Sequence, residues 1–184
     1  MQQTPADDEA RRTAALALWR YGHDYLKAAQ ALCEHDRIAC NDSQALYHLA
    51  AQGIEFSLKS YLRVKGVAPA DLNARIGHSL LAALQDAIAR GLPPPPAEIM
   101  RAIQFIAPYH GDEEFRHLAA GEGTFPDLAP LLSAGTWVLD QIASEVVADH
   151  FASQDHGSPP EVDDMARRMR GDLAATVSKI EPPQ

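Results

Sequence analysis

The stretch GIEFSLKSYLRVKG, residues 53–66, decides how the chain is read. Its apolar residues recur at helical spacing, yet Glu55 and Lys59 stand one turn apart among Ile54, Phe56, Leu58 and Leu62. At about 100° per residue, Leu46, Tyr47, Ala50, Ile54, Leu58, Tyr61 and Leu62 fall on one broad face. Leu49 and Phe56 fall nearly opposite. Between them runs a polar strip of His48, Gln52, Glu55, Lys59 and Arg63. The pattern predicts a helix over 42–65, with Asn41 as cap, Gln44 in the capping-box position and Gly66 as terminator. It also predicts that this helix is gripped from two sides, with its ionic strip hemmed in. The second grip would come from another helix or from a second copy of the chain, since a symmetric dimer is the commonest oligomer. Fully exposed, the Glu55–Lys59 pair would contribute only ~0.2–0.5 kcal/mol. Half-buried, it would tie the helix to its neighbours or line a polar pocket.

Outward from this helix, the same periodicity continues. A first helix is predicted over about 7–36, with Leu18, Tyr21, Tyr25, Ala28 and Leu32 as its apolar face. GVAPADLNARIG reads as a polar loop. A third helix, about 78–90, carries Leu80, Leu81, Leu84 and Ile88 and closes at Gly91. Four prolines, 93–96, form a stiff connection, and Pro96 suits the start of a fourth helix. Pro108 should end or kink that helix near Ala107. A short piece restarts in DEEFRHLAA at Asp112. Leu132, Gly135, Leu139, Ile142 and Val146 mark a further helix, and Ser158, Pro159, Pro160 and Glu161 start a last one. There are no convincing strands. The expected architecture is all-α, an up-and-down helical bundle over 1–152, a linker at 153–160 and a C-terminal helix and tail at 161–184.

The chain has 184 residues, 46% of them hydrophobic and 22% charged, which suits one globular domain. A net charge of −9 opposes general nucleic-acid binding, which favours a basic surface. No apolar run approaches the ~20 residues that span a bilayer, and MQQTPADDEARR is too acidic and polar for a signal peptide. A cytoplasmic protein away from the membrane is expected. Cys33 and Cys40 lack metal-ligand spacing and read as idle thiols of a reducing compartment.

The run AAQGIEFSLKSYLRVKG, then IGHSLLAALQDAIARGL at 76–92, then EEFRH with Phe115 and Arg116, resembles the HEPN family of helical domains ("higher eukaryotes and prokaryotes nucleotide-binding"). The resemblance covers about 20–140 and leaves the last helix outside. It implies an α-helical bundle, frequently a dimer, with activities from metal-independent RNA cleavage to binding and scaffolding. The ribonuclease branch carries Arg, four to six residues, then His. Arg101 and His110, Arg116 and His117, and Arg75 and His78 all miss that spacing, so no catalytic residue is assigned.

The candidate binding residues are Glu55, Lys59, His78, Tyr109 and Arg116. The turn at 66–77 should bring His78 back to Glu55 and Lys59. Arg116 would add a guanidinium suited to phosphate, and Tyr109 a hydroxyl or a stacking face. The plainer alternatives are a helix cap for His78, a surface ion pair for Arg116 and simple packing for Tyr109. Lys59, Arg63, Lys65 and Arg75 make 56–75 locally basic, and Arg167, Arg168 and Arg170 do the same near the end. YHGDEEFRH holds a single Glu-x-x-His, at Glu114 and His117, where a di-iron bundle needs two. With no phosphate loop and no zincin or hydrolase motif, neither metal nor cofactor is expected. The reading is a binding or regulatory protein for a nucleotide, an RNA or a partner protein. The alternatives are a ribonuclease with a non-standard site, His78 shuttling the proton and Arg116 stabilising charge, and a structural dimeric module using Leu49 and Phe56.

Overall fold

The computed structural model describes residues 14–35, 43–110 and 127–153, and among these there is no strand. The elements are α1 (Ala15–His35), α2 (Gln44–Val64), α3 (Pro69–Asp71), α4 (Leu80–Ala89), α5 (Ala97–Ile106) and α6 (Ala129–Ser153). The chain is an all-α bundle. Helix α2 touches α1, α4, α5 and α6 and so occupies its middle. No helix among the described residues is long and apolar enough to cross a membrane.

The apolar face expected of α2 is the core: Leu46, Tyr47, Ala50, Ile54, Leu58, Tyr61 and Leu62 are all buried. The opposite flank is covered as well. Phe56 packs against Tyr21 and Tyr25 of α1, with ring centroids 5.7 and 5.5 Å apart. Leu49 is half-buried against the same core. The second grip on α2 is therefore another helix of the same chain, and that flank needs no second copy to cover it. Helix α2 begins at Gln44 with Ser43 at its N-cap, slightly later than its sequence suggests; Asn41 lies outside the described residues.

Helix α1 turns a different side inward from the one its large residues suggest. Leu18, Trp19, Leu26 and Ala29 are buried, whereas Leu32 is 51% exposed and Tyr21 40%. The reason is glycine. A Cβ on Gly22 would lie 2.9 Å from the Gly53 carbonyl oxygen, so the two backbones cross in near contact. Leu26 fills the space over Gly53, and also that over Gly135 of α6. The close approach rotates α1 about its small residues, leaving Tyr21 and Tyr25 for the Phe56 flank. Ser60 Oγ donates to the Ala15 carbonyl at 2.7 Å, and Trp19 Nε1 donates to that of Leu139 at 3.4 Å.

Chain reversals follow sequence signals closely. Gly66, at φ 80°, takes the left-handed conformation. Val67 N–H then bonds Leu62 O and Gly66 N–H bonds Arg63 O, both at 3.0 Å. This is a Schellman stop. Residues 66–77 are not the polar loop expected: α3 is followed by a π-turn, Leu72–Ile76, whose two ends are buried. Pro69 opens α3 in the first turn. Pro108 ends α5 at Ile106, and Ala107–Tyr109 tightens into a 3₁₀ turn. On α6, Leu132, Gly135, Leu139, Ile142 and Val146 are all buried, as their spacing predicts.

One cysteine expectation is corrected: Cys33 is disulfide-bonded, not a thiol. Cys40, the only other cysteine of the chain, lies outside the described residues. So do the short piece from Asp112, the linker at 153–160 with the exception of Ser153, and the helix at 161–184.

The crossing at Gly53 gives a direct test. A methyl there would stand 2.7 Å from Leu26 Cγ and 3.0 Å from the Gly22 carbonyl oxygen. Overpacking of this kind costs ~1–3 kcal/mol, against about 1 kcal/mol of helix propensity gained. Gly53→Ala should lower the urea midpoint; an unchanged or higher midpoint would contradict the close crossing.

Candidate functional site

Glu55 projects from the middle of α2 and is 1% exposed. A buried carboxylate needs donors on both oxygens. Lys59, one turn on, donates from Nζ to Oε1 at 2.5 Å. His110, just past the 3₁₀ turn, donates from Nε2 to Oε2 at 2.6 Å. His78, reached through the π-turn, sets Nδ1 3.2 Å from both oxygens. Because an ionised carboxylate only accepts, the hydrogens lie on His78 Nδ1 and His110 Nε2.

The elements around the cluster explain its geometry. Ser79, not His78, caps α4: its Oγ accepts from Ala82 N–H at 3.3 Å. His78 is thereby free to turn toward α2, and its side chain is 66% exposed. His110 is buried, and its Nδ1 has no hydrogen-bond partner among the described residues. The rings of His78 and His110 lie edge to face, 6.4 Å apart. His48, two turns before Glu55, brings a third ring 6.1 Å from that of His110.

Burial by itself would raise the Glu55 pKa. The hydrogen bonds from His110 and Lys59 and the charge of Lys59 outweigh it, holding the carboxyl at about 2. His48 is pushed below its ordinary value by partial burial and by His110, against the pull of Glu55. The cluster is thus one fixed negative charge with an ammonium and two imidazoles bonded to it and a third imidazole beside them. It can orient imidazoles by fixing their tautomer, and it presents one of them, His78, to solvent.

The structure brings together three of the residues singled out in sequence: Glu55, Lys59 and His78. Tyr109 is half-buried and faces the ring of Phe105 at 5.8 Å, a packing role. Arg116 lies outside the described residues, as do Glu114 and His117. His110, noted in sequence for its spacing from Arg101, joins the cluster; the signal that finds it is Pro108, which breaks α5 and turns the next residues back. The local basic stretch is internally engaged. Lys59 bonds Glu55, Lys65 bonds Glu145, Arg75 bonds Asp86 and Arg63 bonds the Val67 carbonyl. Among the described residues no group of three or more His, Cys, Asp or Glu is arranged to hold a metal ion.

The low Glu55 pKa sets a pH dependence. A carboxylate held below its ordinary 4.5 contributes stability that is complete above that value and is lost as pH falls toward about 2. Glu55→Gln should destabilise the fold at pH 7 by ~3–5 kcal/mol, the usual cost of removing one partner of a buried ion pair. The gap between wild type and variant should narrow as pH drops from 4.5 toward 2; a constant gap would mean that ionisation of Glu55 does not stabilise the fold.

Comparison with protein-family models, with curated proteins and with solved structures finds no match to this chain.

Proposed function

We propose that this chain is a HEPN-like binding or regulatory protein that recognises a nucleotide or an RNA end at the His78 face of the Glu55 cluster. The observation that carries the reading is the convergence of Lys59, His78 and His110 on one buried carboxylate. Glu55 accepts from His78 Nδ1 and so fixes the ring; in the imidazolium form the other nitrogen, Nε2, donates to an incoming phosphate, with little side-chain entropy left to lose. His78 is the exposed imidazole of the cluster, and His48 adds a further imidazole beside His110. Arg116 remains a candidate phosphate ligand on sequence grounds. The overall acidity of the chain, −9, favours one small or terminal anionic group over a long nucleic-acid backbone. A cytoplasmic site of action goes with a nucleotide ligand, and the disulfide at Cys33 runs against a reducing compartment.

A second reading, metal-independent RNA cleavage, is favoured by one feature. Two imidazoles bond the Glu55 carboxylate, which sets the tautomer of each, and imidazole is the commonest general acid–base group. The homodimer implied by the resemblance would need a surface other than the Phe56 flank, which α1 covers.

Thermal-shift measurements with mononucleotides and with pyrophosphate test the first reading. A ligand at about 100 times its Kd stabilises the folded state by ~2.7 kcal/mol, or several degrees for a domain of this size. His78→Ala, at a largely exposed position, should abolish the shift without lowering the Tm of the free protein. No shift with any of these ligands refutes the nucleotide reading and leaves a partner protein. Fragments from structured RNA in EDTA, lost in both His78→Ala and His110→Ala, would establish the enzyme instead.

A further inference from the structure

A second site lies away from the Glu55 cluster. A cavity of about 560 Å³ opens between α5 and the start of α6, floored by Tyr47 of α2. That volume falls in the range of small-molecule sites, about 300–1,000 Å³. Its walls are apolar: Ala102, Phe105, Ile106 and Leu131. Phe105 is 40% exposed, one of three large hydrophobic residues so exposed among the described residues. Three charged groups line the same cavity, Glu98, Arg101 and Asp127. Glu98 and Asp127 also line a smaller adjoining cavity of about 250 Å³, so the two carboxylates stand at the junction. None of these lining residues belongs to the Glu55 cluster.

The charges here differ from those elsewhere. Lys59, Lys65, Arg75 and Arg90 each bond a carboxylate. Glu98 and Arg101, one turn apart on α5, have neither an ion pair nor a side-chain hydrogen bond among the described residues. Asp127 spends one oxygen on the start of α6, accepting from Ala129 N–H at 3.1 Å. Among the described lining residues, two carboxylates stand against one guanidinium, a net negative charge.

We propose that this cavity binds a small organic cation, a molecule with an apolar ring-sized body and an amino group. The body replaces water against Phe105, Ile106 and Leu131, and the ammonium sits at the junction, within the field of Glu98 and Asp127. A ligand carrying a carboxylate or phosphate would meet two like charges for one Arg101. A neutral ligand of the same shape would gain the apolar contact alone.

Isothermal titration of the full chain with 2-phenylethylamine, 2-phenylethanol and 3-phenylpropionate at pH 7 tests this. The amine should bind at least about threefold tighter than the alcohol, as one or two partly exposed ion pairs allow, and the acid weakest. Glu98→Gln should bring the amine close to the alcohol and leave the alcohol unchanged. Phe105→Ala should weaken both. His78→Ala should leave all three as they are, which separates this site from the nucleotide reading. Equal affinities, tightest binding of the acid, or no binding of the amine at millimolar concentration overturns the proposal. If Glu98→Gln fails to fold, the wild-type series decides alone.

Discussion

An ionised carboxylate taken out of water costs several kcal/mol unless charged donors replace its hydration. Glu55 is such a carboxylate, in the middle of the most enclosed helix of the bundle. Its three donors come from three places in the chain: the next turn of α2, the end of the π-turn and the end of the 3₁₀ turn. Two chain reversals must therefore finish within hydrogen-bond reach of one side chain. Gly66 and Pro108 are the residues that make this feasible. The first stops α2 and sends the chain back along it; the second breaks α5 one turn before His110.

Helix α1 grips α2 on the side away from Glu55: Gly53 and Glu55, two residues apart, point about 160° from each other around the helix. Gly22 and Gly53 bring the backbones into near contact, and Leu26 locks α1, α2 and α6 together over that point. Phe56 then closes the far flank between Tyr21 and Tyr25. Packing by small residues and the ionic cluster thus occupy different sides of the same helix, and the donors around Glu55 come from α2 itself and from the turns at His78 and His110.

This arrangement also limits what the protein can offer a ligand. The cations of residues 59–75 are engaged with carboxylates or a carbonyl, so the chain presents no broad basic surface there. What remains are directed groups: an exposed imidazole over a buried carboxylate at one place, and a charged rim around an apolar cavity at another. The cavity lies on α5 and the cluster just past its C-terminus, so one short helix borders both places.

The sequence by itself determined the long helices among the described residues, the stops at Gly66, Gly91 and Pro108 and the core face of α2, because helical periodicity, prolines and terminal glycines act within a few residues; it read the helical turns of 69–76 as loop. It also brought Glu55, Lys59 and His78 into one expected group, since a short turn at 66–77 leaves the chain few places to go. It misjudged α1, where the spacing of large residues pointed to Leu32 and Tyr21 while the buried side is set by Gly22 and Ala29. A glycine carries no hydrophobic signal, and its role emerges only when another backbone approaches. It also could not reveal His110 as the partner of Glu55, fifty-five positions away, nor the cavity between α5 and α6. Those belong to tertiary structure alone, because they depend on the angle at which separate helices meet, and no local pattern encodes that angle.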